Sequence, residues 1–383
     1  MNEALIFIPD ISGYTEFITQ TEIKHSNHII SELLEIIINA NQLNLVVSEI
    51  EGDAVLFYRK GDPPKTEDVI SQVKKMFIQF HTQLKIIERD NVCQCGACRS
   101  AINLTLKFIV HYGLLNETVI QNFTKIMGGD VILAHRLMKN NIGETEYMLL
   151  TDKYFRTQEV DEQLLEPWIE FKKHTEEYEN FEKTEIKYAL LSEIKKEVPA
   201  IPKATKQGSN NLKPDVVVFI KAPILLVHEA LTDSAAKLEY VPGLKGVKDS
   251  SPINRINGHH TCVFDDLEIH FVTQLNEKKE QEINYVEEGE ASIGFSFISD
   301  YGLLEKNGGT ELSVKSFPKK LYNERDSGIK KLLKNLKTRM ILLKMKNISK
   351  KNLLLFKNYC EKLVNEKKFV SSVEDMQEDK QPK

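Results

Sequence analysis

Long apolar runs are missing from this chain. Nothing in its 383 residues approaches the stretch of about 20 apolar residues that a membrane-spanning helix needs. Cysteine is scarce, five in all, and three of the five fall between Cys93 and Cys98. That distribution excludes a disulfide framework and makes a reducing cytoplasm the expected setting. Excess positive charge is absent too. A formal net charge of −5 argues against a dedicated nucleic-acid binder, which needs a basic surface to neutralise phosphates. The opening MNEALIFIPDISGY carries no basic leader, so no secretory signal is expected. No internal repeat is visible.

What is present is enough apolar residue, 41%, to pack ordinary cores, in a chain long enough for two domains. Composition changes at KKEVPAIPKATKQGSNNLKP, where Lys, Pro, Gly, Ser and Asn replace apolar periodicity. Such residues bury too little surface to fix one conformation. We therefore expect a first domain over 1–194, a linker over 195–213, a second domain over 214–365 and a disordered polar tail over 366–383.

Before the linker the pattern predicts an α+β domain. ALIFIP at Ala4–Pro9 reads as a buried strand, and Ile29, Ile30, Leu33, Leu34 and Ile37 fall at helical spacing. Leu43–Ile50 and Asp53–Tyr58 are strand-like runs around Glu51-Gly52, a hairpin signal. Ile70–Ile87 is an amphipathic helix and Leu104–His111 a further strand. This βαββαβ order is the ferredoxin-like motif. Its topology sets strand two parallel to strand one with strand three between them. Asp10, ending strand one, and Asp53, beginning strand three, should therefore be neighbours.

Two adjacent carboxylates repel unless a cation compensates them. Oxygen-only donors suit Mg²⁺ or Mn²⁺. Ile11-Ser12-Gly13 follows Asp10 and opens a short helix whose backbone N–H groups can meet a triphosphate. Taken singly, Asp10 reads as a cap on that helix and Asp53 as an ordinary hairpin residue; together, with the topology, they favour metal.

FIPDISGYTEF and SEIEGDAVLFY resemble the two metal motifs of class III adenylate and guanylate cyclases. FIVHYG resembles the strand leading to their dimer-facing hairpin, GGDVILAHRL their transition-state helix, and YMLLTDKYF the strand and helix beyond. The resemblance spans about residues 1–190 and is nearest to a bacterial branch of uncharacterised cyclase-like proteins. It implies that Asp10 and Asp53, with the Ile11 carbonyl, bind metal, and that Ser12 and Gly13 lie at the nucleotide. Glu49 would select the base, a carboxylate suiting guanine, with Lys125 near the second selecting position. Arg136 would stabilise charge on the transferring phosphate. It also implies a homodimer binding a purine nucleoside triphosphate. One position departs. Ile132 stands where these cyclases carry an asparagine, and it donates no hydrogen bond.

Gly128-Gly129-Asp130 is followed by apolar residues at helical spacing and reads as a helix start, with Asp130 favouring the helix dipole. Cys93, Cys95 and Cys98 suit zinc or a redox-sensitive cluster, with the fourth ligand open among a partner subunit, His111 or water. A plain set of reduced loop cysteines is the alternative. His25, His28 and His81 read as surface or packing residues, and His259-His260 as a hairpin end.

The second half reads as strand, helices, several strands and a long helix over Ser327–Lys346, with no catalytic constellation. KAPILLVHEALTDSAAKLEYVPGL carries a resemblance to the START-like, helix-grip superfamily. This implies a curved antiparallel sheet around a C-terminal helix, with a cavity for an apolar small molecule.

Overall fold

In a computed structural model the described residues are 2–21, 23–93, 95–121, 123–158, 165–202, 213–249, 253–319 and 329–366. The centre of the expected linker, 203–212, and the expected tail beyond Glu366 lie outside them. The chain divides into two compact units. One comprises Met1–Arg89 with Cys95–Ile201, the other Asp90–Gln94 with Pro202–Lys383. Each is a mixed α and β body with one main sheet. Among the described residues no helix is long and apolar enough to cross a membrane.

The first unit opens with β1 (Asn2–Ser12), α1 (Tyr14–Thr19) and α2 (Ile23–Asn39). The hairpin β2 (Val46–Glu51) and β3 (Ala54–Lys60) follows, then α3 (Thr66–Asp90) and the short α4 (Gly96–Ser100). Next come β4 (Thr105–Ile120), β5 (Phe123–Met127), α5 (Gly129–Leu137), β6 (Tyr147–Thr151), α6 (Asp152–Phe155), β7 (Lys172–Glu176) and β8 (Thr184–Leu190). The sheet order is β2-β3-β1-β4-β6-β8-β7, with β5 paired to β4 outside this path. β3 runs antiparallel to both β1 and β2, so β1 and β2 are parallel with β3 between them. This is the ferredoxin-like arrangement expected from the strand and helix order.

β1 is central because its apolar run leaves neither face suited to water. Ala4 to Ile8 and Ile11 are all fully buried. Ile6 and Ile8 pack with Leu56, Ile109 and α5 residues Val131, Ala134 and Leu137. Phe7 sits between Phe57 and Phe108, with ring centroids 6.4 and 5.8 Å away. Gly52 closes the β2–β3 hairpin with φ of 65°, a conformation that costs a residue with a Cβ more than it costs glycine. β4 extends well past the expected His111 and forms a hairpin arm with β5, Asn116 opposite Met127. The first unit continues into the stretch expected as linker. Ser192–Glu197 forms a 3-10 turn, and Ile194 and Val198 are buried.

The second unit contains β9 (Val216–Ile220), α7 (Ile224–Thr232), α8 (Lys237–Tyr240), β10 (Gly246–Asp249), β11 (His259–Val263) and β12 (Glu268–Lys278). It ends with β13 (Glu282–Ala291), β14 (Phe295–Lys306), β15 (Gly309–Pro318) and α9 (Ile329–Asn365). The sheet is antiparallel throughout, in the order β10-β11-β12-β13-β14-β15-β9. Asp90–Gln94 belongs to this unit, with the Ile256 N–H donating to the Asp90 carbonyl at 2.9 Å. α9 runs much further than the expected Ser327–Lys346. Among its described side chains α9 buries Leu353, Phe356 and Cys360, packed with Ile220, Val227, Tyr240 and Leu312. Burial pushes the Cys360 thiol up to about 12.

Phe356 is fully buried, its ring 4.8 Å from Tyr240. Phe356→Ala should cost the second unit about 3–5 kcal/mol in denaturant unfolding. Leu354→Ala, on the exposed side of the same helix, should stay within about 0.5 kcal/mol.

Candidate functional site

The hairpin brings Asp53 beside Asp10. Asp10 lies inside β1 rather than at its end, opposite Ala54 on β3 and Lys107 on β4. The Ile11 N–H donates to the Asp53 carbonyl at 3.1 Å, which pins the hairpin tip against the central strand. Asp10 is only 8% exposed. The Asp53 carboxyl is raised from the usual carboxylate range to about 6, first by burial and then by repulsion from Asp10, with which it shares a hydrogen bond. Such a pair holds a proton or a cation in preference to two bare charges.

Lys107, which sequence reasoning passed over, supplies part of that charge. Its Nζ lies 3.1 Å from Asp10 Oδ2 and donates to the Met138 carbonyl at 2.9 Å. The signal was present in LTLKFIVH, a lysine interrupting an otherwise apolar buried strand. Two carboxylates and a neighbouring backbone carbonyl still make an oxygen-only donor set, the chemistry that hard divalent cations take. Next to it the Ser12 hydroxyl oxygen is buried without a hydrogen-bond partner among the described residues. Gly13 follows in the left-handed region, φ 88°.

The remaining expected residues are distributed around this centre. Glu49 on β2 and Lys125 on β5 form an ion pair at 3.4 Å. Arg136 on α5 donates to the Glu179 carbonyl at 3.1 Å, with its guanidinium 5.2 Å above the Phe181 ring. Ile132 is 53% exposed on the same helix.

Asp130 does more than favour a helix dipole. Its carboxylate accepts from His111 Nε2 at 2.9 Å, Lys153 Nζ at 2.7 Å and the Leu114 N–H at 2.7 Å. Burial opposes ionisation, yet these donors hold the carboxyl far below the usual range. A Cβ on Gly113 would fall 2.3 Å from that carboxyl, so glycine is needed for α5 to dock on β4. His111 is fully buried and bonds Thr151 Oγ1 at 2.8 Å, so it is not the cysteine cluster's partner. His25 is, with Nδ1 3.1 Å from Cys95 Sγ, which corrects its reading as a surface or packing residue.

The second unit holds a polar cluster that the sequence pattern did not reveal. Buried Lys237 donates to His260 Nε2 at 2.7 Å and to Glu287 Oε1 at 3.3 Å, and the Tyr285 hydroxyl donates to Glu287 at 2.7 Å. His260, expected at a hairpin end, is stacked on Phe271 with ring centroids 5.0 Å apart. Burial first, then the Lys237 charge, pushes its imidazole down to about 4, leaving Nε2 free to accept. Lys237 and Glu287 line a cavity of about 610 Å³ whose other walls include Phe271, Phe295 and Phe297.

A family described as "Protein of unknown function (DUF2652)" matches residues 30–147. An uncharacterized protein of Mycobacterium tuberculosis is 33% identical over 122 residues, 32% of this chain. The chain spans 57% of that relative's length. The solved adenylyl cyclase CyaB from P. aeruginosa is similar over 49% of this chain and 94% of its own, at 16% identity and a TM-score of 0.35. The guanylate cyclase domain of RhGC from Catenaria anguillulae, solved with GTP, is 15% identical over 49% of this chain and 96% of its own, also at a TM-score of 0.35.

The raised Asp53 carboxyl carries a pH signature. The folded state holds this proton more tightly than the unfolded chain, whose value is 3.8. Its contribution to stability is therefore complete below about pH 4 and lost as pH rises through about 6. In chelator, Asp53→Asn should melt at a higher temperature than the parent above that window, with the advantage vanishing below pH 4. Thermal unfolding at stepped pH checks this.

Proposed function

We propose that the first unit is a cyclase-like domain that binds a purine nucleoside triphosphate with Mg²⁺ or Mn²⁺. The second unit is a START-like helix-grip domain for a small apolar molecule, and the whole is a cytoplasmic signalling homodimer. The observation that carries the first part is the Asp10–Asp53 pair, two carboxylates in contact on the central strand and its hairpin. A divalent cation relieves their repulsion where a shared proton would otherwise be needed.

Asp10, Asp53 and the Ile11 carbonyl are the residues to hold the metal, with the Ser12 hydroxyl and Gly13 backbone against the phosphates. The metal supplies charge neutralisation to the triphosphate and acidity to the ribose 3′-hydroxyl. Glu49 reads the purine edge, its carboxylate oriented by Lys125. Arg136 stabilises charge on the α-phosphate. The reaction these roles serve loses the 3′-hydroxyl proton, joins that oxygen to the α-phosphorus and releases pyrophosphate. Exposed Val46 and Ile50 on β2, Val119 and Met127 on the β4–β5 arm and Ile132 on α5 favour a second copy of the chain against this unit, since exposed apolar side chains favour burial.

Two features favour a second reading, nucleotide or partner binding without turnover. Ile132 cannot orient the ribose or the transition state, a loss of roughly a hundred-fold or more in rate. Lys107 also occupies one side of Asp10, in competition with a metal. Purified protein with GTP or ATP and Mn²⁺ should form cyclic nucleotide slowly, and Asp53→Asn should abolish it. Absence of product, with nucleotide binding still present in the parent and lost in Asp53→Asn, would sink the enzyme reading and leave the binding one.

The cavity of the second unit combines aromatic walls with a buried ammonium paired to the Glu287 carboxylate, which suits an apolar molecule bearing a polar head. It also supports a reading in which that unit acts as an apolar-ligand carrier. A medium-chain fatty acid should raise the melting temperature of the full chain, and Lys237→Met should remove the shift. An equal shift in Lys237→Met would count against a headgroup at this position.

A further inference from the structure

His25, Cys95 and Cys98 come together in the first unit although His25 is far away in sequence, and Cys93, two residues before Cys95, completes the cluster. Cys95 is the residue before α4, and its Sγ accepts the Cys98 N–H at 3.4 Å. His25, in the first turns of α2, places Nδ1 3.1 Å from Cys95 Sγ and 3.8 Å from Cys98 Sγ. Tetrahedral zinc, with bonds of about 2.3 Å to sulfur and 2.0–2.1 Å to nitrogen, sets its sulfur and nitrogen ligands about 3.5 Å apart. The two observed separations bracket that value. Cys93 is tied to Cys95 through one intervening residue, so the chain itself keeps its thiol in reach. One ligand atom from each of the four residues lies within 4.8 Å of the others.

We infer that His25, Cys93, Cys95 and Cys98 form a structural zinc site, independent of the nucleotide reading. Three thiolates and one imidazole are soft and borderline donors that select zinc over magnesium. Four protein ligands complete the tetrahedron and leave no open position for water, which makes the site structural rather than catalytic. Cys98 is buried and the other three are half-buried, as a closed site requires. The N–H donated to Cys95 stabilises sulfur carrying negative charge, the form in which thiol binds metal.

The site's consequence is mechanical. Zinc would clip the start of α2 to α4, and the 3-10 turn Ala101–Asn103 after α4 runs directly beneath Gly13. A Cβ on Gly13 would lie 3.9 Å from the Asn103 carbonyl and 3.8 Å from Leu104. Removing zinc would therefore loosen the support beneath that loop.

Metal analysis of the purified full chain should find one zinc per chain. Replacement by Co²⁺ should give thiolate-to-cobalt charge transfer and tetrahedral ligand-field bands. His25→Gln should weaken zinc by roughly a hundred-fold or more, and His25→Cys should restore binding with a spectrum shifted toward four thiolates. Chelation should lower the melting temperature of the parent. The inference fails if the folded chain takes up no zinc and shows only octahedral cobalt. It also fails if two of Cys93, Cys95 and Cys98 are recovered as a disulfide, or if His25→Cys leaves the cobalt spectrum unchanged. Because His25 lies outside the bonds of the α4 turn, its variants test the site even if a cysteine variant does not fold.

Discussion

Strand β1 is hydrogen-bonded along both edges and buried on both faces, and the first unit is assembled around it. A strand in that position leaves little latitude, because a one-residue slip would exchange every side chain between the two faces. With Phe7 held between Phe57 and Phe108, and Ile6 and Ile8 packed toward α5, the register is set. Asp10 then has one available position, opposite Ala54 and Lys107. The apolar packing of the strand thus forces a carboxylate into partly dry surroundings beside a second one.

Charge in both units is placed where it must be compensated at short range. In the first unit Asp10 meets Lys107 and Asp53, whereas Asp130 has three donors and stays firmly ionised. The contrast is instructive. Asp130 is saturated and ties α5 to β4, which is a structural use of charge. Asp53 is under-compensated, which is the condition under which a carboxylate seeks a cation. In the second unit Lys237 and Glu287 form a buried pair, with neutral His260 accepting a further Lys237 proton. Burying such a pair brings little net stability, since desolvation offsets much of the attraction.

The cysteine cluster shows the same dependence on distant partners. Cys93, Cys95 and Cys98 fall within six residues and so cannot by themselves say what completes them. A spacing-based search looks for a fourth ligand downstream at regular intervals, whereas the imidazole comes from His25, on a helix that precedes β2. The convergence arises because α2 and α4 pack together, a relation with no local signature.

The sequence alone determined the βαββαβ order from β1 to β4, the hairpin at Gly52, the helix start at Gly129 and the meeting of Asp10 with Asp53. Each follows from short-range rules: apolar runs, turn glycines and a connectivity allowing few topologies. It also pointed to an antiparallel sheet with a long last helix in the second half, but ended that helix too early. The lysines among its apolar residues hide which turns are buried, and only packing selects Leu353, Phe356 and Cys360. Tertiary structure alone decided the pairing of Lys107 with Asp10, Asp130 with His111, His25 with the cysteines, and Lys237 with His260 and Glu287. Each joins groups on separate elements, and the free energy of a buried charge depends on neighbours that local sequence does not specify.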